Sequence, residues 1–459
     1  MKQNAIAIFD IGKTNKKLFL FDEQYKLVYE QSQKFEETKD EDGFPCEDVH
    51  TLSKWIAQEF QDISSSEDFN IVGVNFSGYG ASFVHVDDSG KPLTPLYNYL
   101  KPFPENLKDQ FYKTYGGESV VAKQTASPVL GNLNSGLQLY RLKYEKPDVY
   151  AQIKYSLHLP QYLSFIISAT ATSDLTSIGC HTHLWDFRKQ AYHDWVYKEG
   201  LQTKFPSIYN GDKTINIEAG GKKIPVGIGL HDSSAALIPY LAAFTEPFIL
   251  LSTGTWCISL NPFNHSLLTD YELHQDCLCY LSYQRKPIKA SRLFAGYEHE
   301  QQVMRLADFF KKPIDHYSSI KCDMQILAGL NKKRPVKTKT NDNRQSDFRF
   351  RKLDEFASYE EAYHQLIADI MKQQVRSTNL VLKGAHVKRI FVDGGFSKNP
   401  IYMYLLAEAF PKIEVYAASV PQASALGAAL AIHQHWNTKK LPSDIIDLKL
   451  YSVTQSTKV

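Results

Sequence analysis

A chain of 459 residues is long enough for two domains of ordinary size, each with its own core. Its 22% charged and 43% apolar residues are the profile of a soluble globular protein, and a net charge of +2 points to no nucleic-acid or membrane-surface partner. Six cysteines are too few for a disulfide framework, Asp10 interrupts the only apolar run near the N-terminus, and no apolar stretch approaches the ~20 residues that span a bilayer, so a reducing, cytoplasmic location is expected.

The first 36 residues read as three strands. Residues 5–9 (Ala-Ile-Ala-Ile-Phe) run into a turn at 10–16, and residues 17–21 return. An amphipathic helix follows over 47–63, with Val49, Leu52, Ile56, Phe60 and Ile63 at steps of three and four. Residues 71–76 form a buried strand that ends in a glycine turn at Gly78 and Gly80. A hairpin is predicted over 83–93, and helices dominate from about 104 to 168. Strands alternating with helices indicate an α/β class. A helix over 233–243 leads to a strand at 248–251, which places the join near 245 and divides the chain into 1–245 and 246–459. The tip Ser252-Thr253-Gly254-Thr255 separates that strand from another at 256–260. Residues 331–352 are basic and without periodicity, which predicts a solvated surface loop. A long helix with Tyr363, Leu366, Ile367, Ile370 and Met371 on its apolar face comes next. Strand 390–392 then meets Asp393-Gly394-Gly395, a helix starts near Asn399 or Pro400, and a small-residue helix over 424–432 could pack on the same turn.

Glycine and hydroxyl residues at the two hairpin tips offer backbone N–H and side-chain O–H donors to phosphate oxygens. One such tip in each half suggests two related domains facing each other across a cleft, the arrangement by which sugar kinases, actin and Hsp70-type ATPases hold ATP.

The motifs are specific enough to name a family. In chain order they are Asp10-Ile11-Gly12 with Thr14, Gly78-Tyr79-Gly80 before Phe83-Val84, Asp174-Leu175-Thr176-Ser177 with Leu184-Trp185-Asp186, and Ile224-Pro225-Val226 leading to His231-Asp232. Ser252 to Trp256, Asp393-Gly394-Gly395 and Ala425-Leu426-Gly427-Ala428 complete the set. The chain resembles a carbohydrate kinase of the FGGY family, and His-Asp paired with Ser-x-Gly-Thr-Trp is most similar to the L-rhamnulose kinase branch. The resemblance implies two ribonuclease H-like domains flanking a central cleft, with a small ketose and ATP as partners and Mg²⁺ with the nucleotide. It implies that Asp232 accepts the proton of the sugar hydroxyl and that His231, Gly80 and Tyr79 line the sugar. Asp10 would hold Mg²⁺·ATP; Thr14, Asn15, Lys17, Gly254 and Thr255 would meet phosphates. Gly394, Gly395, Ser397 and Asn399 would form the adenosine pocket. Mg²⁺ keeps several waters and needs few protein ligands, so one or two carboxylates suffice.

Each role has a plainer alternative: Asp232 as a helix N-cap, Asp10 as a turn former, Gly254-Thr255 as a tight turn. Departures from the family pattern are also visible. Lys17 stands where arginine is usual, Lys13 where a small residue is usual, Gln422 replaces a glutamate, and Tyr79 replaces a tryptophan. The usual Asp-x-Arg after the hairpin is missing; residues 97–102 read Tyr-Asn-Tyr-Leu-Lys-Pro, with Lys101 left to supply one charge to the sugar side. Other ketoses such as L-fuculose, xylulose and ribulose therefore stay open, as does a catalytically weak sugar-responsive protein. Cys180-His181-Thr182-His183 with Cys277 and Cys279 fits no common zinc module. Relatives occur as monomers and dimers, and no apolar stripe decides between them.

Overall fold

The computed structural model describes residues 2–330 and 346–452. Two seven-stranded sheets organise it. In the first, Gln3–Ile11, Lys16–Phe21 and Leu27–Gln33 form an antiparallel meander, and Phe69–Gly78 lies parallel to Gln3–Ile11. Residues 5–9 are fully buried because the central strand is covered on both faces, which is why it reads as a continuous apolar run. A hairpin of Thr214–Ala219 and Lys222–Gly227 extends the sheet, and Leu230–His231 pairs in parallel with the end of Phe69–Gly78. The register aligns Ile11 with Gly78 and His231 with Gly78. The carboxyl ends of three parallel strands thus open at one edge, the usual place for a ligand crevice in an α/β sheet.

The second sheet repeats the scheme. Phe248–Thr253, Cys257–Asn261 and Pro287–Leu293 run antiparallel in turn, with Cys277–Leu281 beyond them, and Arg389–Gly394 lies parallel to Phe248–Thr253. Glu414–Ser419 and Asp447–Tyr451 complete the other side. The α/β expectation holds, with two sheets of matching order in the two halves of the chain.

The cores are less separate than the sequence suggests. One apolar cluster contains Ile6 and Ile8 of the first sheet together with Leu237, Phe248, Phe391 and Ala428. Helices Asp232–Ala243 and Ala423–Ala431 meet there at backbone distance: a Cβ on Gly427 would fall 1.8 Å from the carbonyl oxygen of Ala235. Asn75 Nδ2, buried on the first sheet, donates to the carbonyl of Ala428 at 2.8 Å.

Two local readings change. Phe83–Val86 pairs along its length with Tyr155–His158, and residues 91–93 return beside it through a bridge from Val86 to Pro92 and hydrogen bonds from Asp87 N to Lys91 O and from Leu93 N to His85 O. Proline has no N–H to extend that ladder. Of the basic segment, 331–345 lie outside the described residues, and within 346–352 Ser346 and Phe348 are packed while Phe350 and Lys352 stay exposed. Phe348 is fully buried, and the Ser346 amide and hydroxyl donate to Glu298. Among the described residues no helix is long and apolar enough to cross a membrane.

Candidate active site

Asp232 opens the helix Asp232–Ala243, directly after the strand Leu230–His231. It is not the N-cap; His231 holds that position, and Asp232 Oδ1 instead accepts from its neighbour Ser233 N at 2.6 Å. Its side chain keeps 35% exposure, so one edge faces the opening. Desolvation lifts its carboxyl from 3.8 to about 6, against the Ser233 hydrogen bonds that pull it down.

His231 lies beside it, with Nε2 3.4 Å from Asp232 Oδ1, and burial lowers its ring to about 4, so it is neutral. A relay fixes its backbone. The His231 amide donates to Thr176 Oγ1 at 2.9 Å, and that hydroxyl donates to Asp174. On the other side stands Gly80: a Cβ there would sit 2.6 Å from both Cδ2 and Nε2 of His231. The imidazole occupies the space a side chain would need.

Asp10 ends the first strand of the sheet, and Ser424 Oγ, from the second half of the chain, donates to its Oδ2 at 2.8 Å. Its carboxyl also rises to about 6: desolvation pushes it up, the Ser424 and Ser77 hydroxyls pull it down, and the charge of Asp232 adds to the rise. Two carboxylates thus share one poorly solvated place. Thr14 and Asn15 are exposed at the adjoining hairpin tip. In the second half, Gly254 and Thr255 are exposed at the matching tip, with Gly254 N closing the turn onto Trp256 O at 3.0 Å. Thr253 pairs with Gly394 across the parallel strands, so both glycine turns reach one rim.

A cavity of about 710 Å³ opens on that rim, lined by Gly254, Gly395, Lys398 and Asn399 and by the rings of His299, Tyr317, Tyr363 and Phe396. This volume falls in the range of nucleotide-sized ligand sites. His299 packs edge-on against Tyr317 at 4.9 Å and Phe396 at 5.3 Å, giving flat apolar walls.

Comparison with known proteins fits this geometry. Residues 5–239 match the N-terminal domain of the FGGY family of carbohydrate kinases, and residues 245–440 match the carbohydrate kinase FGGY C-terminal domain. The chain belongs to the FGGY family. It is similar to a rhamnulokinase of Halalkalibacterium halodurans, 23% identical over 56% of each chain, and to an L-fuculokinase of Escherichia coli, 24% identical over 59% of this chain and 60% of that one. The chain therefore matches somewhat over half the length of these relatives. Among solved structures, a carbohydrate kinase from Novosphingobium aromaticivorans superposes with a TM-score of 0.81 at 21% identity, covering 98% of this chain and 95% of that one. A xylulose kinase from Lactobacillus acidophilus gives 0.77 at 16% identity, covering 98% and 94%. At such identities the likeness is one of fold.

Several residues expected to touch ligand from the FGGY resemblance are engaged elsewhere. Lys101 Nζ is held by Asp40 at 2.5 Å and Asp42 at 2.6 Å, with Asp40 fully buried, so its charge is neutralised before it could reach a sugar. Lys17 is paired with Glu30 at 2.9 Å, and Lys13 with Glu37 at 2.8 Å. The Tyr79 hydroxyl donates to Glu47 at 2.9 Å. Ser397 donates to Gly394 O at 2.7 Å within its own turn. Asn399 caps the helix Pro400–Ala409, accepting from Ile401 and Tyr402, while its Nδ2 donates to the Tyr363 hydroxyl at 2.8 Å. Its side chain shapes the cavity wall.

Sequence reading also missed residues. Lys16 is 2% exposed and pairs with Glu47 at 2.9 Å, tying the first hairpin to the turn that carries Tyr79. No local signal distinguishes this lysine from its exposed neighbours. His299 and Tyr317 lie far from any motif, although Tyr363 was visible as one face of a helix.

Proposed function

We propose that this protein is an ATP-dependent carbohydrate kinase that transfers the γ-phosphoryl group to a hydroxyl of a small ketose, of the rhamnulose type. The observation that carries the reading is Asp232: a partly open carboxylate at the edge where three parallel strands end, beside a neutral histidine, with its charge adding to the rise of the Asp10 carboxyl. A carboxylate so placed can orient a hydroxyl and take its proton as the phosphoryl group arrives. The exposed donors at Thr14, Asn15 and Thr255 would receive the phosphates beside Gly254, whose bare Cα lets them approach, and the aromatic cavity by Gly395 and Asn399 the adenosine.

Asp10 would hold the nucleotide's Mg²⁺. The fit is chemical: the donors beside it are oxygens, its own carboxylate and the Ser424 hydroxyl, while Lys17, its cross-strand partner, is paired with Glu30. Hard oxygen donors suit Mg²⁺. When bound, the ion would neutralise charge developing on the phosphoryl oxygens.

Sugar identity is the finer part of the proposal. With Lys101 held by Asp40, neutral groups near Gly80 and His231 would select the ketose. The test is ADP release from Mg·ATP with L-rhamnulose, L-fuculose, D- and L-xylulose, L-ribulose and fructose, using Asp232→Asn as control. Turnover on one of them that disappears in the variant supports the reading. Bound ATP without turnover on any ketose would favour the catalytically weak, sugar-responsive alternative.

A further inference from the structure

The segment Cys180-His181-Thr182-His183 divides in the fold. His183 turns inward, hydrogen-bonded to Tyr112 and Thr125. Cys180 and His181 instead meet His231, some fifty residues later, and one sulfur and two ring nitrogens lie within 4.8 Å of one another. We propose that Cys180, His181 and His231 form a binding site for a zinc-class transition-metal ion in the wall of the sugar pocket.

Two observations carry this. The first is spacing. Cys180 Sγ stands 3.6 Å from His231 Nε2. A sulfur at ~2.3 Å and a nitrogen at ~2.0–2.1 Å from one tetrahedral zinc are themselves about 3.5 Å apart. That pair already has the separation, and His181 has to close by about 1 Å to complete three ligands.

The second is orientation. His181 Nδ1 lies 3.0 Å from the carbonyl oxygen of Leu133, which can only accept, so Nδ1 carries the proton and Nε2 keeps its lone pair. Metal-bound histidines are held this way, with the far nitrogen donating to a carbonyl. The backbone of His181 takes φ +38°, a left-handed value uncommon outside glycine, so local chain energy is given up to keep the ring there.

On binding, the metal would take Nε2 of His231, whose single ring proton moves to Nδ1, and the Cys180 thiol would release its proton to water as it becomes the thiolate ligand. A simple thiol–imidazole hydrogen bond would account for the 3.6 Å contact but not for the aim of His181. Sulfur and imidazole donors select zinc, cobalt or copper over Mg²⁺, so this site is distinct from the one at Asp10.

One consequence rests on the proposed function. A metal on His231 would occupy the space in front of Gly80, so zinc and ketose would exclude each other while Mg·ATP binds unchanged.

The test is titration of chelator-treated full-length protein with Co²⁺, without nucleotide. We expect one equivalent to bind, with tetrahedral d–d bands and a thiolate-to-cobalt charge-transfer band, both erased by Zn²⁺. Cys180→Ser should lose the charge-transfer band, and His181→Gln should weaken binding by at least about tenfold. Absence of the band in the unmodified protein, or its persistence in folded Cys180→Ser, overturns the site. Because the wild-type spectrum is decisive alone, a variant that misfolds leaves the proposal testable, and because it needs no turnover, failure of the kinase reading is separable. In the kinase assay, zinc inhibition relieved by ketose supports mutual exclusion; inhibition relieved only by Mg·ATP overturns it.

Discussion

Gly80 and His231 occupy one volume: the place of a Cβ at 80 is 2.6 Å from two atoms of the imidazole. The ring is buried between that turn and Tyr280, on which it stacks with an interplanar angle of 19°, so it has little room to retreat. Gly80→Ala is expected to displace His231 and lower kcat/KM for the sugar by about tenfold or more, while the KM for ATP stays within about twofold. Steady-state kinetics with each substrate varied in turn would check it; equal losses on both would mean a general disturbance of the cleft.

Asp232→Asn should reduce turnover by about 10²–10⁴-fold, the usual contribution of a positioned acid–base group. Nucleotide affinity should be unchanged. Since burial disfavours the Asp232 charge, removing it should leave the unfolding midpoint equal or higher. A variant that keeps most of the wild-type kcat would exclude Asp232 as the base.

Activity and the part of the stability that Asp10 and Asp232 control should respond to pH in opposite senses. Asp10 and Asp232 both bind protons more tightly folded than unfolded, rising from 3.8 to about 6. The stability conferred by protonation is therefore complete below the unfolded value and disappears as pH climbs through about 6. Turnover needs the ionised form, so kcat/KM should rise across that interval to a plateau. Comparing thermal melts and rates of the wild type and Asp232→Asn between about pH 4 and 8 isolates the Asp232 contribution: the variant should gain stability relative to wild type as pH climbs through about 6; a difference that does not change with pH would contradict it.

Lys101→Met should act on the fold before it acts on the sugar. The substitution strands the buried carboxylate of Asp40, which Lys101 and the amides of Phe44 and Asp42 hold below its usual range despite desolvation. Breaking a buried pair from one side costs about 3–5 kcal/mol. Urea unfolding should show that loss, with an unchanged sugar KM in the folded fraction. A raised KM at unchanged stability would restore Lys101 to the sugar pocket.

Gly427→Ala probes the contact between the two halves. Its methyl would meet the Ala235 carbonyl at 1.8 Å, and two packed helices would have to separate. We expect a loss of about 1–3 kcal/mol, typical of overpacking. An unaltered denaturation midpoint would show that these helices are not tightly seated.

Local pattern determined a good deal of this protein. The apolar run at 5–9, the spacing from Val49 to Ile63 and the glycine turns at 254 and 394–395 specify strands, helix and tips, because each depends on neighbours within a few residues. The motif order likewise pointed to the family. Tertiary structure alone decided how charged and polar side chains are used. Nothing local tells Lys16, buried on Glu47, from Lys17, paired at the surface with Glu30. Lys101 looked available because its partners Asp40 and Asp42 lie some sixty residues away. Cys180 and His181 come beside His231 only because the fold brings the strand Leu230–His231 to their turn. The hydrophobic pattern is periodic and so legible along the chain; the pairing of charges and ligands is set by which elements the fold brings together.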